Sequence, residues 1–135
     1  MIEDGAVPAG AVPAGAVPPT AASRRRALGA EGEAMAAAWY EAHDYQVLAR
    51  NWRCRDGEID LVVGKGRAYV FCEVKSRTTD ALGTPAEAVT RAKQMRLRRL
   101  AAHWLEEAAP RPARQIRFDV AAILAGEIEV IEGAF

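Results

Sequence analysis

The hydrophobic and polar positions of the chain fall into segments that predict one helix followed by a run of strands. The stretch from Glu31 to Ala42 is rich in alanine and has neither proline nor a β-branched residue, which favours a helix. This helix should end at His43-Asp44, because aspartate tolerates the left-handed conformation that closes helices. The next segments have strand character and are Tyr45–Arg50, Glu58–Val63 and Ala68–Lys75.

The second half of the chain predicts a long helix and two further strands. Thr84-Pro85-Ala86-Glu87 forms a capping box, so a helix should run from there to about Glu106 or Glu107. Gln115–Leu124 and Glu127–Ile131 resemble strands joined by a turn. Short links make the three early strands antiparallel neighbours, and the long helix provides a parallel crossover. The sequence thus predicts an α/β fold with a mixed β-sheet flanked by helices, in the order α-β-β-β-α-β-β.

The N-terminal segment has a different character. Residues 5–19 repeat glycine and proline every five residues, so neither a helix nor a strand should propagate there. We expect a disordered tail over residues 1–22 and a folded domain over residues 23–135. A solvated tail and a partner-binding segment both fit this composition.

Charge and hydropathy exclude some classes of protein. The chain has 18 Lys and Arg against 18 Asp and Glu, so net charge alone does not argue for nucleic acid. No window of about 18 residues is apolar and free of charge or proline, which excludes a membrane helix. Acidic residues at positions 3 and 4 disfavour a secretory signal. We expect a cytoplasmic protein with no membrane partner.

Cysteine and histidine are too scattered to predict a site. Cys54 and Cys72 lie 18 residues apart without a CxxC motif, which favours reduced, structural thiols. His43 and His103 have no neighbouring ligand residues in the sequence. A histidine-centred metal site and a Cys-His nucleophile pair are therefore disfavoured.

Acidic and basic residues alternate with apolar ones on two neighbouring strands. Phe71, Glu73, Lys75 and Arg77 share one face of their strand, and Asp60 lies on the strand before it. One hairpin register places Asp60 opposite Phe71 and another places it opposite Glu73. Both registers put the two carboxylates on one face, about 5–8 Å apart at Cβ, where a hard cation can bridge them. Alternatively, the neighbouring cations neutralise the acids in a structural salt-bridge network.

A wider motif resembles a known family. Asp60, twelve residues and Glu73-Val74-Lys75 are similar to the signature of the PD-(D/E)xK nuclease superfamily. The fuller pattern resembles the YraN-like family of small bacterial proteins, which is similar to Holliday junction resolvases. Its matching positions are Gly32-Glu33, Ala36, Asn51, Gly57–Asp60, Phe71–Arg77, Gly83, Lys93 and Arg117–Val120. Asp44 stands where the family usually has glycine, and aspartate tolerates the same backbone.

The resemblance implies a role for each matching residue. Asp60 and Glu73 would be ligands of Mg²⁺ or Mn²⁺, with Val74 as a third position at the metal. Lys75 would be the catalytic lysine, and Glu33 a further carboxylate of the site. The implied fold is the restriction-endonuclease-like arrangement of the superfamily.

Basic residues predict a nucleic-acid surface. Lys93 lies within the apolar stripe of the long helix, so its ammonium should either snorkel to water or meet the carboxylate site or a phosphate bound there. We retain it as a catalytic candidate. Arg117 and Asp119 share a strand face and should pair structurally. The arginines expected to contact nucleic acid are Arg50, Arg53, Arg55, Arg77 and Arg96.

These features together predict a metal-dependent nuclease that hydrolyses DNA phosphodiester bonds, with branched DNA as one substrate class. A non-catalytic nucleic-acid-binding or adaptor module on the same fold is the alternative. Symmetric cleavage of a junction would require a homodimer, and no single apolar stripe in the sequence indicates one.

Overall fold

The fold comes from a computed structural model that describes residues 20–78 and 89–135. The predicted disordered repeat of residues 5–19 and the capping box at Thr84 therefore lie outside the described residues. Within them, the elements follow the predicted order of helix, three strands, helix and two strands. They are α1 (Ala21–Ala42), β1 (Gln46–Cys54), β2 (Gly57–Lys65), β3 (Ala68–Arg77), α2 (Arg91–Glu107), β4 (Gln115–Leu124) and β5 (Glu127–Ile131).

The described strands form one mixed sheet in the order β1-β2-β3-β4-β5. β1, β2 and β3 are antiparallel neighbours, β3 and β4 are parallel, and β5 returns antiparallel to β4. A parallel pair needs a crossover connection, and α2 lies within it. The predicted mixed sheet flanked by helices is confirmed.

Alternation along β3 divides the core into two layers. Val70 and Cys72 pack with the α1 side chains Ala36 and Tyr40 on one face of the sheet. Phe71, on the other face, packs against Trp104 of α2 with ring centroids 5.7 Å apart at 77°. The two helices therefore cover opposite faces, and the ends of β2 and β3 lie between them.

The first helix is longer than predicted. It begins at Ala21, ten residues before Glu31, because the Thr20 hydroxyl caps it by accepting the Ser23 amide at 3.0 Å. The predicted domain boundary between residues 22 and 23 falls inside this helix. The helix ends where predicted, and Asp44 has the left-handed conformation expected of it, with φ at 69°.

The second helix begins later than predicted. Thr90 is extended, with φ −67° and ψ 165°, and its side chain accepts the Lys93 amide, so α2 starts at Arg91. The prediction of one continuous helix from Thr84 is therefore wrong, because Thr90 is extended and caps a helix that starts after it. The helix ends at Glu107 as predicted.

The β2–β3 hairpin has the second of the two predicted registers. Gly64 pairs with Tyr69 and Lys65 pairs with Ala68, which leaves Gly66-Arg67 at the turn. Continuation of this register would place Asp60 opposite Glu73. Asp60 and Glu73 thus lie at the open end of the hairpin, away from its turn.

A buried ionic network joins β4 to the first helix. Asp119 is fully buried and accepts the Tyr40 hydroxyl at 2.6 Å and the Gly133 amide at 3.0 Å. Arg117 donates two further bonds to it, at 2.8 and 2.9 Å. The predicted pairing of Arg117 with Asp119 is confirmed. Every described partner of this carboxylate donates a hydrogen bond to it. The buried charge is therefore satisfied within the protein, and we assign the network a structural role.

Candidate active site

The β2–β3 ladder stops beside Asp60. Leu61 and Cys72 form its last pair, and beyond them the Asp60 carboxylate accepts the Val74 amide at 2.9 Å. A side-chain oxygen thus takes the place of a backbone carbonyl. This bond fixes one carboxylate of the predicted pair against the strand that carries the other.

Strand alternation also breaks at Asp60. Ile59 packs in the core layer of α2, as Val62 does, whereas Leu61 packs in the layer of α1. Regular alternation would put residues 59 and 61 on one face. The single shared face predicted for Asp60 and Glu73 is therefore replaced by an approach from two sides.

Two pockets lie near this strand end, one lined by residues of α1 and the other by residues of α2. The α1 pocket has a volume of about 280 Å³ and is lined by Arg25, Gly29, Glu33, Asp60, Val74, Lys75 and Ser76, together with Leu28. The α2 pocket is smaller and is lined by Glu58, Glu73, Lys93 and Arg96, with Val89, Leu97 and Leu100 behind them. Asp60 thus opens to the first and Glu73 to the second.

Burial and neighbouring charge make ionised Asp60 unfavourable. The pKa of Asp60 is raised to about 7, mainly by desolvation and then by the negative charge of Glu73. This value includes smaller increases from Glu33 and Glu58 and the opposing effect of the hydrogen bond from Val74. A bound cation would remove this penalty.

Two lysines stand beside Glu73. The Lys75 ammonium lies 3.4 Å from the Glu73 carboxylate, and Lys75 also lines the α1 pocket. The pKa of Lys93 is lowered, first by the positive charge of the neighbouring Lys75 and also by burial. Lys93 lines the α2 pocket together with Glu73, so its ammonium lies near both Glu73 and Lys75.

The donor set suits a hydrated divalent cation. Among the described residues no three His, Cys, Asp or Glu side chains converge on one point. Asp60 and Glu73 offer two carboxylates, and Val74 brings its backbone between them. Mg²⁺ is commonly held by one or two carboxylates and keeps several waters. These residues fit that mode, whereas a closed cage of protein ligands would not form here.

The predicted arginines are dispersed. Arg96 lines the α2 pocket, and exposed Arg53 pairs at 3.3 Å with Glu58 of that pocket. Arg55 lines a separate open cavity of about 530 Å³. Arg50 is exposed on β1, and Arg77 is the last residue of β3. The structure thus brings one of the five, Arg96, into a site pocket.

The sequence did not predict Arg25, a basic residue of the α1 pocket, as a site residue. Arg25 lies in the part of α1 before Glu31, where the sequence predicted no helix. The spacing Arg25, Gly29 and Glu33 repeats every four residues, which on a helix marks a single face. That spacing was the available signal, and it becomes informative only once the helix is known to begin at Ala21.

The remaining cysteines and histidines lie outside the two pockets. Cys54 and Cys72 are both free thiols, as predicted, and burial raises the pKa of Cys72 to about 12. His43 stacks on Trp39 with ring centroids 3.8 Å apart. His103 contacts Asp56 at 2.9 Å. The proposed chemistry uses none of these groups.

Sequence comparison assigns the chain to a family. Residues 32–123 match the profile described as uncharacterised protein family UPF0102. The chain belongs to the UPF0102 family. The UPF0102 protein of Beutenbergia cavernae is 55% identical over 98 residues, which cover 73% of this chain and 82% of that protein. The UPF0102 protein of Rhodococcus opacus is 46% identical over 114 residues, covering 81% and 96%.

Family membership confirms the resemblance to the YraN-like proteins. The matched range includes Glu33, Asp60, Glu73, Lys75 and Lys93, so all the predicted catalytic positions lie in family sequence. Arg25 precedes the range. Among the described helices, none is long and apolar enough to cross a membrane.

Proposed function

We propose that this UPF0102 protein is a metal-dependent nuclease that hydrolyses phosphodiester bonds in DNA. The observation that carries the proposal is the meeting of Asp60, Glu73 and Lys75 where the β2–β3 ladder ends. Two carboxylates in neighbouring pockets, with a lysine that lines the pocket of Asp60 and contacts Glu73, match the chemical needs of this reaction. Branched or otherwise structured DNA is the substrate class suggested by the resemblance to junction resolvases.

Residues of both pockets would take part in hydrolysis. Asp60, Glu73 and the Val74 backbone would hold Mg²⁺ or Mn²⁺, which when bound would acidify a water and draw charge from the phosphate. Lys75 lines the α1 pocket and contacts Glu73 of the α2 pocket, and it would orient that water or stabilise the developing negative charge. Glu33 faces the same space as Asp60 and would hold water there. Hydrolysis joins the water oxygen to phosphorus and breaks one P–O ester bond, and the leaving oxygen takes a proton.

A cleavage assay tests the proposal. Fluorescein-labelled duplex, single-stranded and four-way DNA would be incubated with the protein in Mg²⁺, Mn²⁺ or EDTA. We expect cleavage of at least one substrate in either metal and none in EDTA. Cleavage that persists in EDTA, or binding without cleavage in both metals, would contradict the proposal. The second of these results would support the alternative binding module, in which Lys75 only neutralises Glu73.

Lys93→Met is expected to lower the cleavage rate about tenfold or more while the protein stays folded. Methionine keeps most of the aliphatic stem, so the variant removes mainly the charge beside Glu73. Relief of the repulsion from Lys75 should leave thermal stability equal or higher. Arg99→Met, on the exposed side of α2, is the control and should cleave like wild type. Wild-type cleavage by Lys93→Met would mean that the lysine only snorkels.

A further inference from the structure

A glycine of the α1 pocket is not explained by packing within the described residues. Glycine inside a helix is less favourable than alanine, so its presence calls for a reason. Gly32 has one, because a Cβ there would collide with the Ser76 hydroxyl. Around a Cβ built at Gly29, nothing described lies within 4 Å. Glycine serves where a ligand approaches the backbone closely, and Gly29 lines the pocket that contains Asp60.

An arginine stands one helical turn away from this open backbone. Arg25, Gly29 and Glu33 share one face of α1 and all line the α1 pocket. Arg25 is exposed, and its side chain forms no ion pair with any residue that the structure describes. A guanidinium presents donors that match phosphate oxygens. It stands about 12 Å along the helix from Glu33, so it is suited to a phosphate other than the one at the carboxylates.

We propose that a DNA strand bound at Asp60 and Glu73 passes over Gly29, and that Arg25 binds a neighbouring phosphate of that strand. This path rests on the proposed function and extends it, because it assigns the first turns of α1 to the substrate. Gly29 lets the strand lie against the helix backbone. Arg25 is a binding residue that does not touch the reacting atoms.

The first test measures DNA affinity without cleavage. Fluorescence anisotropy of a fluorescein-labelled four-way junction and of its component duplex would be recorded in EDTA at several salt concentrations. Arg25→Gln should weaken binding about fivefold and reduce the slope of log affinity against log salt by about one. Arg26→Gln changes the adjacent exposed arginine, which does not line the pocket, and should bind within twofold of wild type.

The second test fills the open space instead of removing a charge. Gly29→Leu should melt at the same or a higher temperature than wild type, because leucine is the better helix former. Gly29→Leu should nevertheless weaken DNA binding about tenfold, since the leucine side chain would occupy the proposed path of the DNA strand. Ala30→Leu places the same side chain on the next, exposed position and should leave binding unchanged.

The outcomes separate this path from the nuclease proposal. Wild type that cleaves DNA in Mg²⁺, with Arg25→Gln and Gly29→Leu binding like their controls, would overturn the path alone. An equal loss of DNA affinity in Arg25→Gln and Arg26→Gln would also overturn the path, because positive charge would then strengthen binding without a specific contact. Wild type that neither binds nor cleaves DNA would overturn both proposals.

Discussion

Asp60→Asn is expected to be more stable than wild type at pH 8 in EDTA, by about 2–4 kcal/mol. Burial and the charge of Glu73 raise the pKa of Asp60 from 3.8 to about 7. The folded protein therefore holds this proton more tightly than the unfolded chain does, and wild type loses stability as pH rises from about 4 to 7. Asparagine carries no charge and avoids that loss. Urea denaturation at a series of pH values measures the difference.

The difference between the two proteins should shrink as pH falls toward about 4 and vanish below about 3, where Asp60 is protonated in both states. Asp44→Asn is the matched control, since asparagine also tolerates the left-handed backbone there, and it should not reproduce the gain in stability at pH 8. Asp60→Asn should also lose DNA cleavage by about 100-fold or more, because it removes one of the two carboxylates proposed to hold the metal. A clearly destabilised Asp60→Asn at pH 8 would favour the structural salt-bridge network instead.

Asp119→Ala is expected to lower the free energy of unfolding by about 3–5 kcal/mol. The change leaves the Arg117 guanidinium and the buried Tyr40 hydroxyl without the carboxylate that accepts their bonds. Urea denaturation monitored by tryptophan fluorescence gives the value. Tyr40→Phe removes one bond of the same network and should cost about 1–2 kcal/mol, so it remains measurable if Asp119→Ala does not fold.

The exposed end of this network supplies the control. Glu132 also contacts Arg117, at 3.5 Å, but its side chain is 54% exposed. Glu132→Gln should therefore cost less than about 1 kcal/mol. Similar losses for Asp119→Ala and Glu132→Gln would show that burial does not govern the network.

The strands could be predicted well because their signals are local. Alternating apolar residues bounded by turns placed β4 and β5 at their observed ends, and the early strands within a few residues. The helix starts were predicted less well. Thr20 and Thr90 cap α1 and α2, whereas the sequence analysis began the first helix at the alanine-rich stretch from Glu31 and the second at the capping box of Thr84.

For the candidate site, the sequence predicted which residues lie close together but not how they are arranged. The motif predicted Asp60, Glu73 and Lys75 as site residues. Regular alternation did not predict that the side chains of β2 change faces at Asp60. That change depends on Ile59 joining the core layer of α2, which is a tertiary effect. Arg25 was missed for a related reason, because its position at the site follows from the length of α1.

Metal binding by the two carboxylates is the central claim, and calorimetric titration of the protein with Mn²⁺ at pH 8 tests it most directly. We predict uptake of about one ion per chain by wild type and by Asp44→Asn, and its loss in Asp60→Asn and Glu73→Gln. No binding heat in wild type, or equal uptake by wild type and Asp60→Asn, would contradict the claim.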